Sequence, residues 1–231
     1  MADIADELKS VKFAESARVF YMKDIRTLTL EQLTEYFKEI GEKPFRAKQV
    51  YDWLRSKNLH TIDEMTNLSK DLREKLSEAF IINPISVDLL QKSKDGTIKN
   101  GVKLHDGLMV ESVLIPTESR TTACVSSQVG CSLNCEFCAT AKLKRMRNLE
   151  VAEIVDQVAL IDKQSKLYFD RPLSNIVFMG MGEPMMNYKN VVDAIKKITD
   201  EDGLGMSARR ITVSTSGIPK MMRMLADENL K

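Results

Sequence analysis

All four cysteines of the chain lie between positions 124 and 138. A secreted disulfide scaffold spreads its cysteines so that they join distant segments, whereas a tight group is typical of metal binding or redox chemistry in the cytosol. Three of the four, Cys131, Cys135 and Cys138, have the spacing Cys-x3-Cys-x2-Cys. Three thiolates on one short loop can ligate three irons of a [4Fe-4S] cluster and leave the fourth iron open to a small molecule.

Structural zinc is the alternative for the same cysteines. Zinc completes a tetrahedral shell of four ligands, so Cys124 or His105 would have to supply the fourth. Zinc ribbons and fingers favour paired Cys-x2-Cys units, and the chain has no second pair and no His pair at finger spacing. The spacing therefore favours an iron-sulfur cluster and leaves a zinc-stabilised RNA-binding module as the second hypothesis.

Hydrophobic periodicity predicts three segments along the chain. Residues 1–83 are predicted to form a small helical accessory domain that binds RNA, with N-caps at Thr29 and Ser69. Residues 84–120 are predicted to form an antiparallel β extension, because Asp-Gly pairs separate short strands. In residues 121–231 strands alternate with helices, which predicts an α/β fold with either a small open parallel sheet or the first part of a βα barrel.

Composition excludes several classes of protein. With 43% apolar and 29% charged residues, the chain can bury a core, and its net charge of +1 gives no overall attraction to polyanions. It has no apolar run of membrane-spanning length, and its acidic N-terminus is unlike a signal peptide, which predicts a cytoplasmic protein without a membrane partner.

One local group of cations is a candidate contact for RNA phosphates, with a solvated helix end as the alternative: Lys142, Lys144, Arg145 and Arg147.

The amino-acid sequence around the cysteines resembles a known family. Cys-x3-Cys-x2-Cys is the signature of radical S-adenosylmethionine (SAM) enzymes, and CVSSQVGCSLNCEFCAT is similar to the adenosine C2 methyltransferases that act on 23S rRNA and tRNA. The segments GMGEPMMNY, ITVSTSG and FRAKQVYDWL resemble further motifs of that family. The resemblance extends over nearly the whole chain from about residue 25 onward.

This resemblance implies a radical SAM barrel, a [4Fe-4S] cluster and SAM as cofactors, and methyl transfer to C2 of an adenosine in 23S rRNA and in tRNA next to the anticodon. The matching cluster ligands are Cys131, Cys135 and Cys138, and the matching SAM contacts are Gly182, Glu183 and Ser214. It further implies an electron donor such as flavodoxin and a monomeric enzyme. A close relative methylates C8 of the same rRNA adenine, and the quoted motifs are shared with it.

Two further positions match catalytic residues of the family. Glu111 matches the acceptor of the C2 proton, and Cys124 matches a cysteine that resolves a covalent enzyme–RNA intermediate by forming a disulfide. Without the resemblance they would be a solvent-facing strand carboxylate and a buried strand cysteine. The family also has a methyl-carrying cysteine near its C-terminus, which has no counterpart after Cys138. We therefore expect a C-terminally truncated chain that binds a cluster but does not turn over.

Overall fold

The computed structural model describes residues 22–57, 59–228 and 230. Residues 1–21 of the predicted helical domain lie outside the described residues. The described chain divides into two compact units, the first containing the residues up to 54 together with 59–83. The second unit contains the residues from Pro84 onward together with the short stretch that follows Leu54.

The first unit is built around three helices, α1 (Leu30–Glu39), α2 (Pro44–Ser56) and α3 (Lys70–Ala79). A short strand β1 (Lys23–Asp24) pairs in parallel with β2 (Phe80–Ile81). The core combines apolar side chains of the segments outside the three helices with side chains from the helices themselves, among them Leu33, Phe37, Val50, Leu72 and Leu76.

The predicted starts of α1 and α3 are confirmed. Thr29 accepts a hydrogen bond from the Gln32 N–H, and the Gln32 side-chain oxygen accepts one from the Thr29 N–H. Ser69 caps α3 by accepting a hydrogen bond from the Leu72 N–H. Phe45, whose spacing predicts a place on the buried face of α2, is instead 57% exposed in the first turn of that helix.

The second unit contains one six-stranded sheet with the order β10-β9-β6-β5-β4-β3. Its strands are β3 (Ser86–Lys92), β4 (Ile98–Lys103), β5 (Met109–Pro116), β6 (Thr121–Cys124), β9 (Asn175–Phe178) and β10 (Ile211–Val213). Strands β3 to β6 form the predicted antiparallel meander, while β6, β9 and β10 are parallel. The β extension and the start of the barrel therefore share one sheet.

Helices α4 (Val151–Phe169), α5 (Tyr188–Thr199) and α6 (Pro219–Asp227) complete the predicted strand–helix alternation, and the α/β class is confirmed. One face of the sheet packs against the helices of this unit. Leu114, Ala123 and Ile176 are buried on that face. Alternate residues of the same strands lie on the other face of the sheet. Within the described part of the chain, no helix combines the length and the apolar character that a membrane crossing requires.

Candidate functional site

Three loops meet at one edge of the sheet. Because β6, β9 and β10 are parallel, their carboxyl ends lie side by side, and α/β proteins place their ligands at this edge. The cysteine loop follows β6, Gly182 and Glu183 follow β9, and residues 214–217 follow β10. The candidate cofactor contacts predicted from the sequence therefore fall on neighbouring loops.

The cysteine loop is closed at its base by a small hairpin of β7 (Gln128–Val129) and β8 (Arg147–Asn148). The backbone N–H of Met146 donates to the oxygen of Val129 at 2.9 Å. The loop thus leaves and rejoins the body of the unit at one place, which limits how far its ends can move apart.

The donors on this loop fit an iron-sulfur cluster by their chemistry. Cys131, Cys135 and Cys138 are partly exposed free thiols, and soft thiolates are the usual ligands of such clusters. Phe137, between the second and third cysteine, is 94% exposed. Among the described residues, no three Cys, His, Asp or Glu side chains are already grouped so that they could hold a metal ion.

Glu183 joins the loop after β9 to the loop after β10. One carboxylate oxygen accepts hydrogen bonds from the Met185 N–H (2.9 Å) and the Thr215 hydroxyl (2.6 Å), and the other accepts from the Ser216 N–H (2.8 Å) and hydroxyl (3.0 Å). Burial raises the pKa of Glu183, but these hydrogen bonds outweigh it and bring the pKa below its ordinary value of 4.5. Ionised Glu183 therefore stabilises the fold above that ordinary value, and the contribution is lost as the pH falls through the lower pKa of the folded state.

Gly182 lies where the loop after β9 passes closest to β7. Its φ is 94°, and a Cβ at this position would lie 2.5 Å from the Cβ of Gln128. The next residue, Glu183, donates its N–H to the side-chain oxygen of Gln128 at 2.9 Å. Ser214 is exposed directly after β10.

Sequence reasoning missed Gln128, Thr215 and Ser216 as members of the site. All three stand inside the motifs CVSSQVGC and ITVSTSG, so the motifs contained the signal. Their contacts join positions up to 55 residues apart, which no local pattern reveals.

Glu111 and Cys124 lie on the face of the sheet that points away from the helices. Cys124 pairs with Val113, and Glu111 stands two positions before Val113, so both side chains point to the same side. The Glu111 carboxylate is 52% exposed and forms an ion pair with Lys99 at 2.8 Å. The structure therefore leaves a carboxylate and a thiol on one accessible surface.

The structure gives no support to the predicted disulfide, because Cys124 and the three loop cysteines are all free. Burial raises the pKa of the Cys124 thiol above its ordinary value of 9.0, although a hydrogen bond from the backbone of Met179 acts in the opposite direction. Cys124 is thus mainly a neutral thiol at neutral pH and is poorly nucleophilic.

We expect the variant in which Cys131, Cys135 and Cys138 are replaced by serine to be alkylated slowly by iodoacetamide at its remaining Cys124. The pH profile of the alkylation rate should have its midpoint above 9.0, because the folded chain buries the thiol. The same variant unfolded in urea is the control. Identical profiles in the two states would contradict the burial argument.

Arg147 has a structural role that the sequence did not predict. Its guanidinium contacts Asp106 at 2.6 Å and both oxygens of Glu153 at 2.8 Å, and the hydrogen bonds to Glu153 raise its pKa. These ion pairs fix β8 against the start of α4, so Arg147 is not available to phosphates. The exposed cations of the predicted group are Lys142, Lys144 and Arg145.

Comparisons with known proteins identify similar sequences for both units. The "Ribosomal RNA large subunit methyltransferase N-terminal domain" matches residues 23–82, and the "Radical SAM superfamily" matches residues 125–231. A "Probable dual-specificity RNA methyltransferase RlmN" of Christiangramia forsetii is 68% identical over 209 residues, which cover 90% of this chain and 59% of the relative. A "Dual-specificity RNA methyltransferase RlmN" of Geotalea uraniireducens is 48% identical, covering 87% of this chain and 57% of the relative.

Among solved structures, "a radical SAM methyltransferase from Sphaerobacter thermophilus" matches with a TM-score of 0.79 and 38% sequence identity. The match covers 90% of this chain and 61% of the solved chain. The chain therefore spans about 60% of the length of the relatives it matches.

Proposed function

The chain belongs to the RlmN family of the radical SAM superfamily, and on this basis we propose that it serves methyl transfer to C2 of an adenosine in 23S rRNA and in tRNA next to the anticodon. The observation that carries the proposal is the edge of the sheet where three free thiols lie on the loop after β6, with Glu183 on the neighbouring loop. The match of the radical SAM superfamily includes these thiols, which favours a cluster over zinc. The similarity to dual-specificity RNA methyltransferases favours that enzyme over the C8 methyltransferase.

When bound, the [4Fe-4S] cluster and SAM would supply the one-electron chemistry that the electron-poor C2 carbon requires. Cys131, Cys135 and Cys138 would hold the cluster. Glu183 holds the strand-end loop that carries Ser214 in place through the Thr215 and Ser216 contacts. A carboxylate has about four acceptor sites and Glu183 already accepts four hydrogen bonds, so it would accept one from the SAM ammonium only where one of the hydroxyl donors turns away.

On the open sheet face, we assign Glu111 as the acceptor of the C2 proton. Its exposed carboxylate is open to a base that enters on this face, and it forms an ion pair with the Lys99 ammonium at 2.8 Å. The partly buried thiol of Cys124 lies on the same face of the sheet. The methyl-carrying cysteine of the resembled family has no counterpart among the four cysteines of this chain, so we propose that the chain by itself does not complete the transfer.

The proposed partners are the two RNAs and an electron donor such as flavodoxin, and we propose that the chain acts as a cytoplasmic monomer. The exposed cations Lys142, Lys144 and Arg145, next to the cysteine loop, are the proposed phosphate contacts. The first unit, which matches the rRNA methyltransferase N-terminal domain, is the proposed second RNA contact.

We expect the double variant Lys142→Gln, Lys144→Gln to bind tRNA more weakly. Each lost phosphate contact reduces the slope of log affinity against log salt by about 0.7–0.9, so two contacts reduce it by about 1.5. Filter binding at several salt concentrations measures the slope. The double variant Lys189→Gln, Lys220→Gln removes two exposed charges from α5 and α6 and serves as the control. Equal slopes for both variants would exclude the proposed phosphate contacts.

Electron paramagnetic resonance on the anaerobically reconstituted, dithionite-reduced chain tests the proposed cofactors. We expect a [4Fe-4S] signal that shifts when SAM is added, together with matching amounts of iron and sulfide. One equivalent of zinc without sulfide would overturn the proposal in favour of the RNA-binding module. A cluster signal that SAM does not change would show that this chain lacks a working SAM site.

A further inference from the structure

Gln128 is a fully buried amide at the base of the cysteine loop. Both ends of its side chain are engaged. Its oxygen accepts the N–H of Glu183 at 2.9 Å, and its nitrogen donates to the side-chain oxygen of Asn148 at 2.7 Å. One side chain therefore joins the hairpin that closes the cysteine loop to the loop after β9.

The hydrogen bonds continue beyond Gln128 in both directions. The Asn148 oxygen also accepts from the Arg145 guanidinium at 3.0 Å, within the cysteine-loop hairpin. On the other side, the Glu183 carboxylate accepts from Thr215 and Ser216 after β10. A single connected network therefore spans all three loops at this edge of the sheet.

Packing leaves Gln128 little freedom. A Cβ at Gly182 would lie 2.5 Å from the Cβ and 2.7 Å from the backbone nitrogen of Gln128. The backbones of the two segments are thus in close contact, and the amide hydrogen bond fixes their register along that contact. Removing the amide would leave the buried N–H of Glu183 without its acceptor.

We propose that Gln128 is a positioning residue that sets the cysteine loop relative to the SAM-contacting residues Gly182 and Glu183. This inference rests on the proposed function, because it gives Gln128 a role in the cofactor site named there. The three thiols belong to a single loop, so cluster assembly does not depend on Gln128. Binding of SAM does, because SAM has to reach the cluster from one loop and Glu183 from another.

The test compares Gln128→Met with the matched control Gln164→Met. Gln164 is a second buried glutamine of the same unit. Its amide, on α4, forms two hydrogen bonds with Asn100 on β4, at 2.7 and 3.0 Å. Methionine keeps the unbranched shape of glutamine in both places and removes the amide. We expect both variants to retain iron and sulfide at the level of the parent chain.

The concentration of SAM that shifts half of the cluster signal should rise about tenfold in Gln128→Met and less than about twofold in Gln164→Met. Equal effects of the two variants would overturn the proposal, since both lose a buried amide. So would loss of the cluster in Gln128→Met alone, because Gln128 would then serve the cysteine loop itself.

Hydrogen exchange in the metal-free chain gives a second reading that needs no cluster. The Glu183 amide should exchange about tenfold faster in Gln128→Met and unchanged in Gln164→Met. An unchanged Glu183 amide in Gln128→Met would overturn the proposed link. If the parent chain binds no cluster while this amide responds as expected, the proposed function fails and the link between the loops stands.

Discussion

Replacing Cys135 by alanine should leave a chain that assembles no iron-sulfur cluster. Cys135 is the middle thiol of the three on the loop, and two thiols cannot hold a cubane whose fourth iron already lacks a protein ligand. Removing a residue that hydrogen-bonds to a metal ligand lowers metal affinity about 10–100-fold, so removing a ligand itself should lower it at least about 100-fold. Iron, acid-labile sulfide and the reduced-state paramagnetic signal measure the loss.

The fold should survive this substitution. Cys135 is partly exposed, and the hydrogen bond it accepts from the Cys138 N–H at 3.1 Å goes to its backbone oxygen, which alanine retains. Cys124→Ala is the matched control, because it removes a thiol from strand β6 outside the loop. It should keep iron and sulfide at the level of the parent chain. Loss of iron in Cys124→Ala would make the assignment of the three ligands wrong.

Helices and strands with a clear hydrophobic period were predictable from the sequence, whereas strands of two residues were not. The residues Thr29 and Ser69 marked the starts of α1 and α3. Strands β7 and β8 have two residues each, too few for any alternation, so the hairpin under the cysteine loop had no local signal. The sequence also could not show that the antiparallel strands and the parallel strands meet at β6 in one sheet.

In the candidate site, the motifs identified positions but not partners. Glu183 was expected as a ligand contact, yet its oxygens also hold the loop after β10. Arg147 was grouped with phosphate contacts because it stands in a run of cations, but Asp106, 41 positions away, pairs with it. A buried charge or amide needs a partner, and which partner it finds depends on the tertiary structure.

Gly182→Ala should destabilise the second unit more than Gly107→Ala does. Alanine at φ 94° is strained, and its Cβ would overlap Gln128 Cβ and backbone nitrogen at 2.5 and 2.7 Å. Strain and overpacking together should cost about 3–5 kcal/mol in the free energy of unfolding. Urea-dependent hydrogen exchange of the β9 amides measures that free energy.

Gly107→Ala separates the two contributions to this loss. Gly107 has a φ of 80° in the turn between β4 and β5, and a Cβ there would have no neighbour within 4 Å. Its substitution should therefore cost only the backbone strain, about 1–2 kcal/mol. The difference between the two losses in the free energy of unfolding measures the cost of placing a Cβ at position 182 in close contact with Gln128. Equal losses would mean that β7 yields to a methyl group without cost, and the tight register that brings Glu183 beside the cysteine loop would then need another explanation.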